Sequence, residues 1–110
     1  MKFKIELSEK ADRDLRNIFL YIAIDLGVPE TAEKQIERLW NAMRSLNEFP
    51  ERYRRYEDEP WHSRGMRVLP VDNYIVLYIP DLEERIVRIV SIMYSGCDIS
   101  EQLKKSLSFS

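Results

Sequence analysis

Residues 9–48, EKADRDLRNIFLYIAIDLGVPETAEKQIERLWNAMRSLNE, decide the fold. In the first half, Ala11, Leu15, Ile18, Phe19, Ile22 and Leu26 recur at steps of three and four, which lays one apolar stripe along a helix. Ser8 stands in front of the stripe as a side-chain cap. Gly27 follows it, placed to close the helix in a left-handed conformation. Pro29, with Glu30 and Thr31 behind it, suits the first turn of a second helix, where a missing N–H costs nothing. That helix, Pro29 to Glu48, buries Ile36, Leu39, Trp40, Met43 and Leu46. So short a link between the two predicts an antiparallel helical hairpin.

Working outward, Phe3, Ile5 and Leu7 alternate with charged residues and predict a strand before the hairpin. Pro50 stops the second helix, and a polar, arginine-rich loop follows, YRRYEDEPWHSRG at residues 53–65. Three strand-like runs come next: GMRVLPV, YIVLYI and RIVRIVSIMY. Asp72-Asn73 and Pro80-Asp81 carry turn chemistry between them, and such short connections predict an antiparallel meander. The last two runs are apolar on both faces, as central strands covered on each side would be. The ending DISEQLKKSLSFS places Ile99, Leu103 and Leu107 four apart, a short amphipathic helix. The order is β-α-α-β-β-β(-α), an α+β chain that forms one domain over residues 1–110.

With 17 basic and 19 acidic residues the formal charge is −2, which argues against wholesale nucleic-acid binding. No apolar run approaches the roughly 20 residues that span a bilayer, so no membrane role is expected. Cys97 is the one cysteine, which excludes an internal disulfide and suits a reducing, cytoplasmic setting. A single histidine and three scattered glycines leave no multi-histidine metal site and no phosphate loop. No metal or cofactor is expected. The consecutive acids Glu57, Asp58 and Glu59 cannot all face one site and read as a solvated loop.

The stretch RVLPVDNYIVLY, residues 67–78, and the ending IMYSGCDI, residues 92–99, resemble the ParE/RelE superfamily of toxins from type II toxin–antitoxin modules. The similarity runs from Lys2 to about Leu103. It implies a twisted antiparallel sheet with the helical hairpin packed across one face, and a cognate antitoxin that neutralises the protein. Relatives of the RelE type cut mRNA on the ribosome, which needs a base for the ribose hydroxyl and cations for the phosphate. Relatives of the ParE type instead inhibit DNA gyrase by binding. The arginines that the cleaving pattern requires align here with Ile75 and Cys97, and neither an alkyl chain nor a thiol replaces a guanidinium. The ParE type is therefore favoured, with ribosome-dependent RNA cleavage, or an inactive binding descendant, as the alternatives.

If the protein cleaves RNA, His62, Arg64, Arg67 and Tyr94 are the catalytic candidates. Arg67 lies where the resemblance puts a recurrent arginine, and equally reads as a strand residue paired with a loop acid. Trp61 reads either as a stacking platform or as a lid tucked over the sheet edge. Tyr94 reads as a base or acid, or as a packed phenol. Cys97 has no cation fixed beside it and reads as inert. For partner binding the expected residues are Tyr21, Trp40, Trp61, Arg64, Arg67, Leu103 and Leu107, with Tyr21, Trp40 and the two terminal leucines on an exposed groove for an antitoxin segment.

Overall fold

The computed structural model describes residues 2–107, the last two by their backbone only. β1 (Lys4–Leu7) leads into α1 (Glu9–Leu20). Ser8 Oγ accepts the Ala11 amide at 3.0 Å and donates to the Val90 carbonyl at 2.8 Å, so the cap also pins the helix to the sheet. From Tyr21 to Asp25 the helix widens into a π-helical turn, closed by Leu26 N–H on the Tyr21 carbonyl at 2.9 Å. The extra residue in that turn rotates the end of the stripe away from the core. Leu26, expected to be buried, is therefore exposed. Gly27, at φ 71°, makes the left-handed exit, and Pro29 opens α2 (Pro29–Arg44).

After 3₁₀ turns at Ser45–Asn47 and Pro50–Arg52 the chain enters β2 (Arg67–Val71), β3 (Tyr74–Asp81) and β4 (Ile86–Tyr94), then α3 (Ile99–Leu107). The meander β2-β3-β4 is antiparallel, as the short turns predict. One of those turns differs. Pro80 and Asp81 lie inside β3, and the chain reverses over residues 82–85 with Arg85 at φ 56°. Proline is tolerated there because β2 ends at the Arg67–Tyr78 rung, which leaves Pro80 beyond the last bond on that side.

The sheet order is β1-β4-β3-β2, and β1 pairs with β4 in parallel, so the expected antiparallel sheet is in fact mixed. The hairpin carries the chain from β1 across one face to the far edge, where β2 starts. The meander then returns to lay β4 beside β1. Nothing local in β1 encodes that partner.

Both helices of the hairpin sit on one face. Leu39, Met43, Leu46, Ala11 and Leu15 pack there on Leu69, Val76, Tyr78, Val87, Ile89 and Ile92. Ile18 and Ile36 are only partly buried at its margin, while Ile22 is buried. The opposite face buries Val68, Ile75, Leu77 and Met93 beneath Tyr56, Trp61, Met66 and Leu103. The arginine-rich loop and α3 are thus a second covering layer. Pairing of Leu77 with Ser91 and of Tyr78 with Ile89 skips Val90, a β-bulge in β4.

Candidate functional site

The loop between α2 and β2 is ordered by backbone bonds before any side chain acts. Tyr56 N–H donates to the Met66 carbonyl at 2.8 Å and Val68 N–H to the Arg54 carbonyl at 3.0 Å, so residues 54–56 extend the sheet past β2. Trp61, 8 % exposed, goes under the loop into the second core. It is the tucked lid and not a free stacking platform. The Arg64 guanidinium lies 5.2 Å over its ring, a cation–π contact that leaves the charge on the surface. His62 Nδ1 is 2.9 Å from the Tyr56 carbonyl, which fixes the exposed ring. Glu59 accepts both the hydroxyl and the amide of Ser63, and these bonds hold its carboxyl below the usual range.

Arg67 is largely spent on the fold. Its side chain is 14 % exposed, and Nη1 donates to the carbonyls of Glu51 at 2.9 Å and Tyr53 at 2.7 Å. Its Nη2 contact with the Glu51 carboxylate is long, at 3.5 Å, and the buried Nε has no acceptor. The pairing with a loop acid is thus secondary to the two carbonyls. Beside it Tyr78 donates to the Pro50 carbonyl at 2.6 Å, and burial pushes that phenol up to about 12. Arg67 and Tyr78 together clamp the chain after α2 onto the sheet.

Tyr94 is on the helix-covered face, at the far end of β3 from Arg67. It is 57 % exposed and meets Tyr74 edge to face, with ring centroids 6.2 Å apart. Tyr74 and Tyr78, the partner of Arg67, are four positions apart along β3, a span of roughly 13 Å. His62 and Arg64 belong to the layer over the opposite face. The four residues expected to act together on RNA are therefore not brought together.

What does converge around Tyr94 is a cleft of about 670 Å³ between the hairpin and the sheet. Tyr21, Tyr74 and Tyr94 line it with Ile18, Ile22 and Ile92. Burial, and then the neighbouring phenols of Tyr21 and Tyr94, raise the Tyr74 pKa, so its hydroxyl stays protonated. The floor holds Asp14, whose Oδ2 accepts the Ser91 hydroxyl and the Ile92 amide, each at 2.9 Å, and Lys10 Nζ at 3.1 Å. At the turn Asp72 accepts Arg38 Nε at 2.7 Å and Gln35 Nε2 at 3.0 Å, and both bonds lower its pKa. Sequence reasoning missed this cleft, though one signal was present: Asp14 interrupts the stripe Ala11, Leu15, Ile18, where an acid needs a specific partner.

On the other flank of α1, a groove of about 400 Å³ is lined by Leu15, Phe19, Leu20, Ile36 and Trp40. Trp40 is half-buried there with the Arg44 guanidinium 5.5 Å from its ring. Leu103, expected on the groove, is 2 % exposed in the second core, where α3 docks on the sheet. Its burial removes it from any open surface. The Leu107 side chain lies outside the described residues. Cys97 packs at the edge of that same core.

A family model for the ParE toxin of type II toxin–antitoxin systems, parDE, matches residues 5–98. No curated protein sequence matches. Among solved structures, a chain of the chromosomal ParDE system from P. aeruginosa superposes with a TM-score of 0.69 at 19 % identity, covering 84 % of this chain and 96 % of that one. A mutant of the E. coli toxin RelE in the free state gives 0.64 at 15 % identity over 98 % and 97 %. A RelBE toxin–antitoxin complex from Mycobacterium tuberculosis contains a chain that gives 0.60 at 19 % over 86 % and 99 %. At these identities the likeness is one of fold.

Proposed function

We propose a mode of action on the premise that the chain belongs to the ParE toxin family of type II toxin–antitoxin systems: it disables DNA gyrase by binding and does not cut RNA. The observation that carries this is the dispersal of the candidate cleaving residues. Arg67 is held by the Glu51 and Tyr53 carbonyls, Arg64 and His62 lie on the lid, and Tyr94 opens on the opposite face. Stabilising a phosphorane needs preorganised cations within hydrogen-bond reach of one phosphate and of a base. Ile75 is buried under the lid, and Cys97 has no guanidinium to offer. Inhibition by binding requires only surface, and surface is what the hairpin and lid supply.

Neutralisation would use the groove between α1 and α2. Its apolar lining of Leu15, Phe19, Ile36 and Trp40, rimmed by Asp12 and Arg16, suits one face of an amphipathic antitoxin segment. Solved relatives of this fold include toxin–antitoxin complexes, which supports an antitoxin partner here.

The decisive experiment is induced expression with two readouts, gyrase supercoiling activity and the 5′ ends of mRNA, followed by a supercoiling assay with the purified protein. Loss of supercoiling without ribosome-dependent cuts is expected. Clean mRNA cleavage by the unaltered protein would overturn the proposal.

A further inference from the structure

We infer that the tyrosine cleft takes one basic side chain, an arginine or lysine of the antitoxin segment seated on the neighbouring groove. This rests on the groove being the antitoxin's site. Groove and cleft flank α1 on either side and meet where Leu20, which lines the first, is followed by Tyr21, which lines the second. Both side chains are about half exposed, so a segment that crosses α1 at this point reaches both.

The chemistry of the cleft selects a cation. Tyr74 and Tyr94 meet at 74° between ring planes, and Tyr21 faces them from the π-helical turn. Ring faces held at an angle around one space attract a cation through their quadrupoles. Ile18, Ile22 and Ile92 supply apolar wall for an alkyl stem, while Asn17 and Asn73 supply polar atoms for its head. Asp14 is the one charged residue among those that line the cleft, and no lysine, arginine or histidine lines it. The cations that border the cleft are already engaged, Lys10 by Asp14 and Arg38 by Asp72. Lys34 does not line it. An incoming acid meets no free cation in this lining, whereas a guanidinium or ammonium meets three rings.

The test is an NMR titration of the full chain with N-acetyl-arginine amide, N-acetyl-norleucine amide and N-acetyl-glutamate amide as probes, and the affinity of the cognate antitoxin measured in parallel. The arginine probe should shift the Tyr21, Tyr74 and Tyr94 ring signals saturably and in a salt-dependent way, and the other two should not. Replacing one ring, as in Tyr94→Leu or Tyr21→Leu, should weaken the arginine probe and the antitoxin by roughly two- to fivefold each, while Tyr94→Phe and Tyr21→Phe retain binding. Equal shifts from norleucine, or no shifts at all, overturn the cation site. Probe binding combined with unchanged antitoxin affinity in the leucine variants overturns the choice of occupant. An antitoxin that fails to bind the unaltered chain sinks the groove reading instead, and the probe titration still judges the cleft.

Discussion

Asp14→Ala tests whether the hairpin is locked to the sheet at the bulge in β4. The Asp14 carboxylate accepts the Ile92 amide and the Ser91 hydroxyl at 2.9 Å, and both of those residues are buried. Alanine leaves the amide without its carboxylate acceptor at the floor of the cleft. An orphaned buried donor costs about 1–3 kcal/mol, and a bond to a charged acceptor is at the upper end of that range. The Ser91 hydroxyl loses its acceptor as well, although its oxygen still accepts Lys10 Nζ at 2.8 Å. The Lys10–Asp14 pair is partly exposed and adds little. The expected loss is about 2–4 kcal/mol, a large part of the 5–15 kcal/mol typical of a domain. Asp14→Asn keeps one acceptor for the amide and should lose roughly half as much. Urea denaturation at unchanged slope measures the global term, and exchange of the Ile92 amide measures the local one. A midpoint like that of the parent, or an Ile92 amide that exchanges no faster in Asp14→Ala, would refute the reasoning.

Leu39, fully buried under the hairpin, should cost about 2–5 kcal/mol as Leu39→Ala by the same denaturation, and an unchanged midpoint would misplace the stripe. Arg67→Ala should destabilise by about 1.5–3 kcal/mol because two loop carbonyls lose a charged donor, so any loss of activity comes with loss of fold. Arg64→Ala, by contrast, should stay within about 0.5 kcal/mol of the parent, since it removes one exposed contact. Tyr78 should titrate at about 12 in place of its ordinary 10.0. Because the raised value belongs to the folded state, its contribution is fully present below pH 10 and lost as pH climbs through 12, and an alkaline absorbance titration that finds Tyr78 ionising near 10 would contradict its burial.

The hairpin was legible because its signals are local: a cap at Ser8, a left-handed Gly27, a proline at the first turn of α2 and two stripes with a helical period. The meander was legible for the same reason, through the Asp72-Asn73 turn and the doubly apolar β3 and β4. The parallel pairing of β1 was not, because strand partners separated by some 80 residues leave no trace in either strand. The π-helical turn was hidden too, since its sequence continues the helical stripe and only the exposure of Leu26 betrays the extra residue. Site residues fared unevenly. Tyr21 and Tyr94 were singled out separately, and the fold joins them through Tyr74. Leu103 was expected on an exposed groove and Trp61 as either a stacking platform or a tucked lid, and the structure places both in a second core layer.

Arginine-rich loops invite a nucleic-acid reading, and here the geometry redirects it. Arg52 donates to the carbonyls of Ser45 and Glu48, Arg67 to those of Glu51 and Tyr53, and Arg64 covers Trp61. Those three guanidinium groups stabilise a loop that has few apolar residues of its own, and a cation committed to a carbonyl is a poor counterion for phosphate. A contiguous run of exposed apolar residues lies elsewhere. Leu20, Tyr21, Ile24, Leu26 and Val28 are all exposed within nine residues at the hairpin tip, between the groove and the cleft. Contiguous apolar exposure of that kind marks a protein interface more than a polyanion site. The tip owes it to the π-helical turn, which turns Leu26 outward and sets Tyr21 opposite Tyr74. The same irregularity that ends the buried stripe thus builds the surface on which a partner can be held.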